Sequence, residues 1–446
     1  MKRSTWSVSG LVIIFTSLGL IYNACSTKNF EITDAQTSLD LGSQSGSDPT
    51  ITRYMITNGI IKLTPAGVAA AIPFTGRIMM VRDTLKGVTD VYVHAAGLSA
   101  SSAYPVHVHD QACAVGGGGH YLINKEQTAT SEMNEVWPAL QTGVDGSGSG
   151  FKSVNHVVRP EGQSIVIHDP TTPATRIACG SFVPQLSTSS KSGRFALLSA
   201  GVTANSTING NAVIIRNPTS NQTVVKVKVA GLAANTNYPA HVHGQSCANM
   251  DGGAHYKMNP AVTEVTPSVA NELWVPLAAN ATGFAESRIE VDHVAGAEAL
   301  SIVIHDPVTP ANRLACVDLI TDGGFVSTDV GLQRGRNVLG SGKLERKANG
   351  TTVASVALSG LLPNTAYTGH VHDRPCHISG GGGHYKLDYS NALAVESNEI
   401  WIRVITDASG SGSGSTMSQA IARPEAQSIV IHDPTDGGRI ACMDLY

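Results

Sequence analysis

Twelve histidines in this chain fall into three matching quartets: His107, His109, His120 and His168; His241, His243, His255 and His305; His370, His372, His384 and His432. Each quartet opens on His-Val-His and passes a cysteine and a glycine-rich run to a His-Tyr pair. Each ends at Ser-Ile-Val-Ile-His-Asp-Pro, followed by Arg-(Ile or Leu)-Ala-Cys. An H-x-H on a strand sets both rings on one face, because side chains alternate along a strand. Two further imidazoles would complete a four-nitrogen site. Imidazole binds copper, zinc, iron and nickel, and four nitrogens in a plane lean toward Cu(II). A single H-x-H would read as ordinary surface or core histidine. Three complete quartets do not.

The elements that must position these rings repeat with them. The first histidine of the triplet stands at 107, 241 and 370 in a chain of 446 residues. Those steps are domain-sized, far longer than the units of a solenoid, and each unit is long enough to bury its own core. The expected units are 51–184, 192–320 and 329–446, with a Ser-rich joint over 185–193 and a shorter one over 321–328. Strand signals dominate them. Val225, Val227 and Val229 alternate with Lys226 and Lys228, the pattern of a half-buried strand. Apolar runs such as Ile165-Val166-Ile167 precede the last histidine of each quartet. Turn signals recur at Asp145-Gly146 and Pro363-Asn364. The expected fold class is all-β, with an antiparallel sandwich or barrel in each unit.

Charged residues make up 14% of the chain and the formal net charge is −4, with no basic run. Nucleic acid is therefore not an expected partner. Lys2 and Arg3 precede the apolar stretch Leu11 to Ile21, which fits an export signal over 1–24 and is too short to span a bilayer. Tyr22-Asn23-Ala24-Cys25 resembles a bacterial lipobox, although Leu is usual where Tyr22 stands. The polar stretch 25–50 reads as a flexible tether. Of seven cysteines, six fall one pair to a unit: Cys113 with Cys179, Cys247 with Cys316, Cys376 with Cys442. In an exported protein these read as disulfides. Thiolate ligation is the weaker reading, because close C-x-x-C spacing is absent. Cys25 is left over, and acylation would account for it, anchoring the protein to a membrane that faces the periplasm or the cell exterior.

The order His-Val-His, Cys, Gly-rich His, Val-Ile-His, Arg-(Ile or Leu)-Ala-Cys resembles the copper–zinc superoxide dismutases. The resemblance covers nearly all of each unit and includes a Gly-Leu turn before each triplet (Gly97-Leu98, Gly231-Leu232, Gly360-Leu361). It implies an eight-stranded Greek-key barrel, copper on the four histidines, and superoxide as substrate. It also implies that Arg176, Arg313 and Arg439 attract and orient the anion. Two departures narrow it. No histidine lies between His120 and Trp137, His255 and Trp274, or His384 and Trp401, so the family's zinc ligands are missing. The segment from the last histidine to the arginine is also too short for the family's electrostatic loop. Both departures resemble the copper-only superoxide dismutases and proteins built from repeats of them. They imply one copper per unit, no zinc, and a site open to solvent.

Without zinc, another group must hold His120, His255 and His384. Glu135, Glu272 and Glu399, each in Asn-Glu-x-Trp, stand near the position of the family's zinc aspartate. They read equally well as exposed strand residues beside a core tryptophan; Asp169 is the next candidate. His156 and His293 read as structural, His94 and His377 as surface residues. The expected activity is dismutation of superoxide, and the alternative is a copper-binding lipoprotein that stores the metal.

Overall fold

The computed structural model describes residues 53–183, 188–262 and 268–445. The expected signal peptide, tether and Cys25 lie outside those residues.

The chain is all-β, with several antiparallel sheets and, among the described residues, three short α-helices, Pro65–Ala69, Ser199–Thr203 and Asp329–Gln333, and two 3-10 turns, Cys113–Val115 and Met250–Gly252. β-Branched residues fill the strands, as the pleated surface favours. The first repeat forms a single nine-stranded sheet. Its end strands are Ala103–Tyr104 and Val106–His109, consecutive in the chain and separated by Pro105 alone. Proline cannot donate to a ladder, so it divides the two short strands. The sheet thus curls round until its ends meet, giving a nearly closed barrel. In the second repeat the strands form sheets of five, four and two, and in the third of five and three. Three large hydrophobic clusters lie inside, each drawn from one repeat: Ile78, Tyr121 and Ile165 in the first, Ile214, Leu273 and Ile302 in the second, Phe325, Ile402 and Ile429 in the third.

Three local expectations differ from what is found. The strand Gln222–Ala230 is buried on both faces: Lys226 is 5% and Lys228 9% exposed. The cause is contact between repeats. Val213, Ile215 and Val224 pack on Val326 of the third repeat, and Lys226 forms a buried ion pair with Asp444. The segments read as joints are partly strand. Ser189–Arg194 pairs with Asn209–Asn217, Thr321–Asp322 pairs back onto Lys191 and Ser192, and Val326–Ser327 pairs with Ala441 and Cys442. His94 is buried rather than exposed, with Nδ1 bonded to Ser149 Oγ at 2.8 Å. Burial pushes it down to about 4, and the groups whose charge it feels, Arg77, Asp145, Arg374 and Glu425, come from both the first and third repeats.

Candidate metal centres

Each quartet is brought together. Val106–His109 lies beside Ser164–His168, with His107 opposite Val166 and His109 opposite Ser164. Alternation puts the His107 and His109 rings on one face. The same register places His241 opposite Val303 and His370 opposite Val430. A ladder irregularity between Ile167 and His168, repeated at Ile304/His305 and Ile431/His432, aligns each last histidine with Arg176, Arg313 or Arg439 on the next strand. A bulge of this kind re-aims a side chain. The glycine-rich loop returns the remaining ring through an isolated bridge, His109 to His120, His243 to His255 and His372 to His384. Gly117, Gly252 and Gly381 take positive φ there, with a Val side chain and the middle histidine of the quartet crowding the space a Cβ would need. In every quartet one nitrogen from each ring lies within 4.8 Å of the others.

Hydrogen bonds fix which nitrogen each ring presents. Carbonyls only accept, so a ring nitrogen facing one carries the proton. Nδ1–H of His109 donates to Gly118 O at 3.3 Å, and Nδ1–H of His168 to Pro173 O at 2.6 Å. The counterparts are His243 to Gly253 O (3.0 Å), His305 to Pro310 O (2.7 Å), His372 to Gly382 O (3.4 Å) and His432 to Gly437 O (2.8 Å). Nδ1–H of His120 donates to Glu135 Oε2 at 2.7 Å, His255 to Glu272 at 2.9 Å and His384 to Glu399 at 2.7 Å. These nine rings present Nε2. The first histidine of each quartet is different: Nδ1 of His107, and both ring nitrogens of His241 and His370, are buried without any hydrogen-bond partner. Buried polar atoms are normally satisfied, so an exception at the same ring of every quartet points to a ligand.

The middle and last rings approach through Nε2, at 3.4 Å for His109 and His168, 3.4 Å for His243 and His305, and 3.2 Å for His372 and His432. Two imidazoles on one ion at about 2.1 Å stand at most about 4.2 Å apart, so these pairs fit a shared metal. Burial, the neighbouring imidazoles and the arginines favour neutral rings. Burial foremost, then His120, pushes His107 and His109 down to about 3. His241, His243 and His370 are likewise pushed down to about 3, and His372 to about 2. His168, His305 and His432 are lowered too, chiefly by burial. Neutral imidazole is the form that ligates.

The three glutamates are not exposed strand residues. Glu135 is 1% exposed, and its Oε2 also accepts Trp137 Nε1–H at 2.6 Å. Trp274 and Trp401 donate to Glu272 and Glu399 at 2.9 and 2.8 Å. The indoles also lean on the first histidine, with ring centres 4.8 Å apart for Trp137 and His107, 4.3 Å for Trp274 and His241, and 4.9 Å for Trp401 and His370. Sequence reasoning treated these tryptophans as core. The recurrence of Asn-Glu-x-Trp beside every quartet was the available signal. Asp169 holds no ring; its Oδ1 accepts the Thr171 and Thr172 N–H groups at 2.8 Å. His156 and His293 bond to Tyr121 and Tyr256 at 2.8 and 3.1 Å and stay outside the quartets.

Each arginine lies against its own glycine loop. Arg176 donates to Gly118 O at 2.7 Å, the carbonyl that also accepts His109, and to Gly116 O. Arg439 donates to Gly382 O at 2.7 Å, shared with His372, and to Ser379 O. Arg313 donates to Met250 O and Asp251 O at 2.7 and 3.1 Å. The charge of each arginine reaches the middle and last rings of its quartet.

The three disulfides, Cys113–Cys179, Cys247–Cys316 and Cys376–Cys442, are formed. They pin the start of each glycine loop to the strand that carries the arginine. Bonds of this kind belong to oxidising, exported environments. Among the described residues no helix is long and apolar enough to cross a membrane. Compared with protein-family models and with curated proteins, the chain gives no match.

Proposed function

We propose that the chain is a copper-dependent superoxide dismutase made of three tandem Greek-key modules, exported and anchored by a lipid on Cys25. The observation that carries this reading is the pairing, in every copy, of a four-histidine cluster with an arginine held on the same glycine loop. A set of four imidazoles suits Cu(II). Copper, when bound, supplies one-electron chemistry in both directions, so that two superoxide anions and two protons give dioxygen and hydrogen peroxide.

The chain's own residues do the rest. Nδ1 is the nitrogen left without a partner in all of His107, His241 and His370, so these rings would ligate through it and the other nine histidines through Nε2. The carbonyls of Gly118 and Pro173, and their counterparts, fix the tautomers. Glu135, Glu272 and Glu399 hold the His120, His255 and His384 rings, a task usual for carboxylates behind metal-bound histidine. That bond also bears on zinc. A histidine bridging two metals needs both nitrogens, and here Nδ1 is engaged by the carboxylate. Arg176, Arg313 and Arg439 place a cation beside each cluster, which draws in a small anion and lets a neutral product leave. Metal storage has no use for such a cation, so catalysis is the stronger reading.

The test is a metal competition. The chain, offered copper and zinc in equal excess and then dialysed, should retain three copper ions and no tightly held zinc by elemental analysis. Near-equal zinc would contradict the copper-only reading.

A further inference from the structure

The three glycine loops begin alike and are fastened differently. In the first repeat Ser181 Oγ accepts the N–H of Cys113 at 2.9 Å; in the second, Asp318 accepts that of Cys247 at 2.7 Å. In the third, Asp444 Oδ1 accepts the N–H of Cys376 at 2.5 Å, and its other oxygen is taken by Lys226 from the second repeat. Both members of that pair are buried. Burial alone would raise the Asp444 carboxyl, but Lys226 and the Cys376 N–H more than reverse this and hold it below the usual carboxylate range.

The same loop is gripped again at its far end. Gln111 and Gln245 lie across Gly118 and Gly253 in the first two repeats; the third has Arg374 across Gly382, so close that a Cβ on Gly382 would sit 2.1 Å from Arg374 Cγ. Arg374 reaches out of its own repeat. Its guanidinium donates to Asp145 Oδ2 at 2.9 Å and to Ser147 Oγ at 2.7 Å, both on a turn of the first repeat. Gly382, beneath that side chain, has the carbonyl that accepts both His372 and Arg439.

We infer that the third centre is a composite one: Asp145 and Ser147 of the first repeat, acting through Arg374, and Lys226 of the second, acting through Asp444, are positioning residues for the His370–His372–His384–His432 cluster. The path is short at both ends. One runs from Asp145 to Arg374, to Gly382, to His372 and Arg439. The other runs from Lys226 to Asp444, to Cys376 at the root of the glycine loop. Among the described residues, the hydrogen bonds of the glycine loops of the first and second repeats run to their own repeat. The third centre thus reports the docking of all three repeats, whereas the first two are set by their own repeat. This inference rests on the copper reading of the same clusters.

The test uses the full chain and one tryptophan at a time. In a W6F/W137F/W274F background Trp401 reports the third centre, and in a W6F/W274F/W401F background Trp137 reports the first. Copper(II) is titrated into each background with and without two changes: Arg374→Gln, which installs the residue of the other two repeats, and Asp145→Ala, which removes an exposed partner. Both changes should weaken copper binding at Trp401 by about tenfold, the lower edge of the range for groups that hold metal ligands, and leave the Trp137 titration unchanged. An unchanged affinity at Trp401, or an equal fall at both reporters, would overturn the inference and reduce Arg374–Asp145 to an interface bond. A parent chain whose tryptophans do not respond to copper at all would instead refute the underlying metal reading.

Discussion

Oε2 of Glu135 lies 2.7 Å from Nδ1 of His120 and thereby dictates which nitrogen of that ring faces the cluster. The carboxylate is itself pinned by the Trp137 N–H, so ring, carboxylate and indole form one unit, repeated at Glu272 and Glu399. Glu135→Gln keeps the size and removes the charge. Copper affinity at the first centre is expected to fall by about 10–100-fold, as for other groups behind metal-bound histidines. Trp137 fluorescence in a W6F/W274F/W401F background would read it. Wild-type affinity would remove Glu135 from the account.

The arginines make a separable prediction. Replacing Arg176, Arg313 and Arg439 together by glutamine should leave copper bound, because none of them is a ligand. Dismutation should slow and lose much of its dependence on ionic strength, since salt screens the charge that steers the anion. Rates measured between low and physiological salt check this, and an unaltered rate would favour metal storage.

The quartets, the cysteine pairs and the arginines were all legible in the sequence because each recurs three times at matching offsets. The all-β class was legible from the Val-rich alternation of 225–229. The packing of repeats on one another was not. Lys226 looked like the solvent side of a strand, and no local pattern could disclose that Asp444, far along the chain, neutralises it. His94 failed for the same reason: its burial comes from a tertiary contact. The role of Glu135 stayed open between two readings because the loop from His120 to Glu135 has no regular pattern to align. In the second and third repeats an isolated bridge, Lys257 with Glu272 and Lys386 with Glu399, closes the equivalent loop; in the first, the Ile123 N–H donates to Asn134 O.

The buried pair gives a pH prediction. The Asp444 carboxyl is lower in the folded chain than in the unfolded one. Below its unfolded value of about 3.9 the unfolded chain therefore takes up the proton first, and stability drops as the pH falls. The contribution is fully present above that value. Thermal stability of the copper-free chain should already decline as the pH falls below about 6.5, because His107, His109 and their counterparts, held neutral when folded, take up protons first in the unfolded chain, and Asp444 should add a further loss below about pH 4. Asp444→Asn should be less stable at neutral pH and show a shallower acid decline. A variant with the same stability and acid profile as the parent would remove the pair from the account.

Each disulfide closes a loop of 66 or 69 residues. In the chain-entropy treatment such a crosslink stabilises by about 4 kcal/mol. Reduction under native conditions should therefore lower the melting temperature markedly and, because Cys113, Cys247 and Cys376 root the glycine loops, release copper in the same transition. Copper retained through full reduction would contradict the coupling of loop to metal. Non-reducing peptide maps should show the same three pairs, with Cys25 acylated and joined to no other cysteine.

The central claim is that these clusters turn over superoxide. The most direct measurement is the rate of superoxide decay catalysed by the copper-loaded chain, with metal counted on the same sample and free copper removed by a chelator. Catalysis should be proportional to bound copper up to three ions per chain, and slowed when the arginines are replaced although the copper stays. Three tightly bound copper ions with decay no faster than the chelator-treated buffer would contradict it.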